Sequence, residues 1–147
     1  MRVRTQRLLE RYGALVIEGW MPRVDDYGVA GVIGDTLESI RIFAPHQLHS
    51  DDTGVFRGIR IADQETVAKL GTSFARALKD TANTVAHMLF EKGYRGPFGI
   101  DAFVYEDRSG AKRLQSICEI NARLCFGLVA RAKAERVGLS EFEFSFG

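Results

Sequence analysis

The stretch from residue 93 to 123 most constrains what this chain can become. Two strand-like runs, Phe98 to Tyr105 and Lys112 to Ile120, flank a loop that contains Ser109-Gly110. Such a pair reads as a β-hairpin. With the hairpin centred near Gly110, Asp101 and Glu119 lie nine residues to either side and become cross-strand partners on one face. Asn121 comes two residues after Glu119, and alternate residues of a strand point the same way, so it joins them if the strand continues that far. The surroundings are apolar: Phe98, Ile100, Phe103, Val104, Ile117 and Ile120. Paired carboxylates in such a sheet repel unless one is protonated or a cation lies between them. Magnesium answers that need, because it takes one or two carboxylates and completes its shell with phosphate oxygens, an Asn carbonyl serving as a further ligand or orienting group. The plainer alternatives are a solvated sheet edge, or a one-residue slip that sends the two acids to opposite faces.

The rest of the chain reads as an α+β fold, mainly an antiparallel sheet packed by long helices. Val3 to Tyr12 has helix formers and stops at Gly13. Short strands are expected at Ala14 to Ile17, Tyr27 to Ile33, Leu37 to Phe43 and Gly54 to Ala62. The strongest helical pattern opens near Asp63, as an N-cap, and runs to about Lys92, with Val67, Leu70, Phe74, Leu78, Val85 and Leu89 on one stripe. Leu124 to Val137 reads as a helix closed by Gly138, and Glu141 to Phe146 alternates as a strand does.

The local sequence carries a further signal. Gly93-Tyr94-Arg95-Gly96-Pro97-Phe98-Gly99-Ile100-Asp101, followed by Cys118-Glu119-Ile120-Asn121-Ala122-Arg123, resembles the acidic residue and the Glu-x-Asn-x-Arg motif of the ATP-grasp superfamily. In members such as biotin carboxylase and D-alanine:D-alanine ligase, the matching acid, Glu and Asn bind the magnesium ions that bridge the ATP phosphates. The resemblance therefore implies Asp101, Glu119 and Asn121 as metal ligands, and Arg123 as a substrate contact whose fork suits a carboxylate or phosphate. It extends to Val16-Ile17-Glu18-Gly19-Trp20-Met21, which is similar to the family's adenine-binding strand and hinge. Ile17 and Glu18 would then lie beside the adenine, Trp20 and Met21 would supply apolar surface, and Asp26 would meet the ribose, with Asp25 as a rival. Arg57 falls where several members carry a basic residue directed at phosphate; pairing with a surface acid is its alternative, as it is for Arg60.

The implied reaction activates a small carboxylate as an acylphosphate, with ATP and magnesium as cofactors. The resemblance covers most of residues 1–147 and implies the C-terminal part of an ATP-grasp domain; the family's phosphate-binding lysine and glycine-rich loop are not found in it. Catalysis would then need the N-terminal half or a partner chain. The alternative is a non-catalytic nucleotide-binding or protein-interaction module, and a homo-oligomer is left open. The pattern His46-x-x-His49 with Asp51 and Asp52 reads as solvated surface rather than a second metal site, and Cys125 as a small packed residue.

Global numbers narrow the field. A chain of 147 residues suits one domain, and 20 basic against 19 acidic residues, a net charge of +1, give no field that draws nucleic acid. The apolar runs are too short to span a bilayer, so no membrane partner is expected. Two cysteines make no disulfide framework, which fits a reducing cytoplasm.

Overall fold

In the computed structural model, which describes residues 2–15, 19–51 and 53–145, the chain forms an α+β structure built on one antiparallel sheet. Its strands are β1 (Arg23–Ile33), β2 (Arg41–Ile42), β3 (His46–Ser50), β4 (Phe56–Ala62), β5 (Gly96–Glu106), β6 (Lys112–Asn121) and β7 (Glu141–Ser145). The helices are α1 (Arg2–Tyr12), α2 (Asp63–Leu70), α3 (Thr72–Glu91) and α4 (Phe126–Val137). Strand order is β6-β5-β1-β3-β4-β7, with the short β2 beside β1. Among the described residues no helix is long and apolar enough to cross a membrane.

Alternation along the strands sorts residues between two faces. Tyr27, Val29 and Ile33 of β1 and Phe98, Ile100 and Ala102 of β5 are buried against Leu78, Ala82 and Val85 of α3. The close fit of α3 to the sheet follows from its small buried positions, Ala75, Ala82 and Ala86. The other face is covered in part by α4, where Ile59 and Ile61 of β4 meet Ala130. The residues of chemical interest lie on this second face.

Several boundaries differ from those expected. The helix from Asp63 is two helices, because Gly71 takes φ +87°, a conformation that a continuing helix does not allow. Asp63 is the first helical residue rather than the cap; its carboxylate is held instead by Arg131 at 2.9 and 3.0 Å. Leu37–Ser39 is a 3-10 turn and only Arg41–Ile42 pairs with β1, so the strand from Leu37 to Phe43 is mostly not formed. Ala14 and Leu15 lie in no strand, and the remainder of that segment, Val16 and Ile17, is outside the described residues. Of the expected tail strand, Glu141–Ser145 forms β7 against β4, and Phe146 is outside the described residues.

The hairpin of β5 and β6 pairs Asp101 with Glu119, as the sequence predicts, but by a different route. Next to the turn the register is Phe103 with Gln115 and Glu106 with Lys112, which continued without interruption would place Ile117 opposite Asp101. A bulge between Phe103 and Asp101 absorbs the additional residues of β6 and restores Glu119 to Asp101 and Asn121 to Gly99. Within the bulge the Gln115 amide donates to the Ile117 carbonyl at 2.8 Å.

Two hairpin turns share one device. Asp107 Oδ1 accepts from the Ser109 N–H and hydroxyl and from the Ala111 N–H, while Oδ2 accepts from Arg113 Nε at 2.8 Å. Asp51 does the same with the Thr53 N–H and hydroxyl, the Val55 N–H and Arg57 Nε at 2.9 Å. Both sequences read Asp-x-Ser/Thr-Gly-x-x-Arg, and Gly54 and Gly110 take φ +80° and +79°. Donation from the neighbouring hydroxyl, before any other contact, holds each carboxyl well below the usual range.

Candidate functional site

Antiparallel partners share a face, so the registers define a row across four strands: Glu119 of β6, Asp101 of β5, Gly28 of β1 and His46 of β3. Asn121, two residues past Glu119, is buried, and its side-chain amide donates to Asp101 Oδ2 at 3.3 Å. Glu119, Asp101, His46 and Asn121 line a cavity of about 240 Å³ together with Arg123, Phe126 and Cys125. Phe126 stacks on Phe56 at 5.6 Å between ring centroids, giving the cavity an apolar wall. The sequence-predicted group of Asp101, Glu119, Asn121 and Arg123 is therefore brought together.

Burial pushes the Asp101 carboxyl up to about 6, and the charge of Glu119 adds to the rise; Arg123 and the Asn121 hydrogen bond oppose it. The ordinary value of this carboxyl is 3.8, so between about pH 4 and 6 the folded protein binds more protons than the unfolded chain and loses stability as pH rises. Thermal midpoints measured from pH 4 to 7 should fall more steeply for the wild type than for Asp101→Asn, which should be the more stable protein at pH 7 in the absence of metal. Parallel profiles would show that the pair carries no such strain.

Among the described residues no three His, Cys, Asp or Glu side chains are grouped to hold a metal by themselves. Two carboxylates and one amide oxygen make a partial shell of hard oxygen donors, the kind magnesium completes with phosphate oxygens and water. Burial, with the Glu119 charge beside it, makes a charged Asp101 costly, a cost that a bound cation would offset. The residues fit magnesium bound with a phosphate ligand.

A second cleft, of about 450 Å³, adjoins the first, and Leu48 lines both. Trp20, Met21 and Asp26 face it, joined by Ser50 and Asp51. Trp20 is 75% exposed, so its indole is surface available to a ligand rather than core. Arg23 lies over Phe103 at 4.2 Å and near the Trp20 ring at 5.7 Å, and binds Asp26 at 3.3 Å. The rival Asp25 is paired with Lys69 at 2.6 Å, while Ile17 and Glu18 lie outside the described residues.

Arg57 does not join the acid cluster. Its guanidinium binds Asp51 Oδ2 at 2.9 and 2.7 Å, the role Arg113 has in the matching turn, and Arg60 pairs with Glu65 and Glu141. Sequence reasoning missed His46, which is 3% exposed inside β3 and lines the acid cavity, not solvated surface. Burial pushes its imidazole down to about 3, aided by the Arg131 charge. The only local signal is the alternation His46, Leu48, Ser50 after Pro45, a weak strand pattern in which Leu48 alone is apolar.

No protein-family model matches the chain, and no curated protein matches it as a relative. Among solved structures the chain is similar to part of N5-carboxyaminoimidazole synthase from Aspergillus clavatus, determined with ADP and 5-aminoimidazole ribonucleotide. Identity is 13% over 73% of this chain and 24% of that one, with a TM-score of 0.45. The match thus spans about a quarter of that enzyme's length, and at this level it assigns neither ligand nor reaction.

Proposed function

We propose that this chain is a magnesium- and ATP-binding portion of an ATP-grasp carboxylate ligase, the C-terminal part of its nucleotide-binding domain. The observation that carries the reading is the meeting of Asp101, Glu119 and Asn121 on one face, with Arg123 in the same cavity and an indole-lined cleft next to it. The adenine would lie against Trp20 and Met21, the ribose near Asp26, and the phosphates would run past Leu48 toward the acid pair. Ile17 and Glu18 belong to the same proposed hinge.

Magnesium, when bound, would neutralise charge on the phosphates and so ease attack at the terminal phosphorus. Asp101 and Glu119 would hold it, Asn121 would orient Asp101, and Arg123 would position the carboxylate that receives the phosphoryl group to become an acylphosphate. The carboxylate attacks phosphorus as ADP leaves, and an amine or other nucleophile then displaces phosphate. The other half of the phosphate site is assigned to an N-terminal half or partner chain. A second reading, nucleotide binding without transfer, draws support from Arg57, because the cation expected at the phosphate is bound into a turn.

Calorimetric titration with ATP tests the binding. Weak affinity that requires magnesium is expected, with a change in emission from Trp20, the chain's single tryptophan. Magnesium-independent affinity would remove the roles of the acid pair. A carboxylate-dependent ADP-release assay separates the two readings: this chain alone is expected to show no turnover, since water is not excluded from an open site.

A further inference from the structure

A buried histidine stands at the far end of the acid cavity. His46 is 3% exposed and its Nδ1 has no hydrogen-bond partner among the described residues. The fold makes space for this ring at two places: a Cβ on Gly28 would fall 2.4 Å from Nε2, and one on Gly127 would fall 2.5 Å from Cε1. An unpaired ring nitrogen in such a setting costs stability, whereas an aromatic hydrocarbon would fill the same volume without that cost. Packing alone does not account for an imidazole here.

Its position in the row gives it a use. Gly28, which has no side chain, lies between Asp101 and His46 in the row, and the imidazole leans over it, so that Nε2 reaches toward the acids with which His46 lines one cavity. That cavity, of about 240 Å³, has room for a metal ion on the carboxylates and a phosphate oxygen beyond it. A neutral imidazole offers one N–H to such an oxygen without adding a cation. Arg131, whose charge acts on His46, is already bound to Asp63 at 2.9 and 3.0 Å and to the Ala44 carbonyl at 3.0 Å.

We propose that His46 is a ligand-contacting residue, donating a ring N–H across Gly28 to an oxygen of the metal-bound phosphate chain. The proposal rests on the nucleotide reading above and adds to it the residue that meets the phosphate from the side opposite the acids.

Nitrogen NMR of the protein labelled at histidine tests it, with magnesium alone and then with magnesium and ATP. The His46 ring nitrogens are expected to move with magnesium and ATP together, and not with magnesium alone. His46→Phe is expected to keep a thermal midpoint at least equal to the wild type and to bind magnesium-ATP about tenfold more weakly. Wild-type binding with unmoved His46 nitrogens, or unchanged affinity in His46→Phe, would overturn this proposal and leave the nucleotide reading standing. No magnesium-ATP binding by the wild type would remove both. If His46→Phe does not fold, the wild-type nitrogen spectrum decides alone.

Discussion

Glu119→Ala is expected to lower magnesium-dependent ATP affinity by at least about 100-fold, to the limit of calorimetric detection, while the protein stays folded. Altering groups that merely support metal ligands costs about 10 to 100-fold in affinity, so loss of a ligand itself sets the larger figure as a floor. Stability should hold because Glu119 is exposed in an edge strand, and its removal relieves the repulsion that helps raise the Asp101 carboxyl. The same titration on Asp101→Asn should give a comparable loss through the other ligand. Affinity within a factor of a few of wild type in both variants would mean that the pair holds no metal.

The largest effect on stability is expected at Phe98→Ala. Phe98 is fully buried in the cluster under α3, and its ring lies so close to Gly31 that a Cβ there would fall 2.6 Å from Cε1. Truncating a buried Phe costs about 3–5 kcal/mol, a large share of the ~5–15 kcal/mol that holds a domain folded. Guanidinium denaturation should show a lower midpoint at an unchanged slope. A loss below about 1 kcal/mol would place Phe98 in a site able to collapse or already loosely packed.

Much of this arrangement is legible in the residues because its signals are local. The hairpin shows through Ser109-Gly110 between two β-rich runs, and α4 through its closing Gly138, which takes φ +68°. The pairing of Asp101 with Glu119 was reached from a turn centred at Gly110, whereas the actual turn register is shifted and a bulge returns the strands to that pairing. Bulges change register without an alternation signal, so the agreement in pairing conceals a difference in path. Gly71 was hidden for a related reason: the hydrophobic stripe continues through it, and periodicity does not report a single positive φ. His46 was misread because what encloses it lies far away in sequence, at Gly28 and Gly127, and the absence of two Cβ atoms leaves no pattern near the histidine. Arg57 was legible after all, since Asp51 and Thr53 repeat the turn formed by Asp107 and Ser109.

The claim that the acid pair holds the metal of a bound nucleotide is tested most directly by manganese-ATP and the backbone amide spectrum of the folded chain. Manganese takes the same oxygen ligands as magnesium and broadens nearby signals. Broadening should centre on Asp101, Glu119 and Asn121, extend to His46 and Gly28, and weaken toward Trp20 and Met21, and excess magnesium should reverse it. Broadening centred elsewhere, or none at these residues while ATP is bound, would contradict the account.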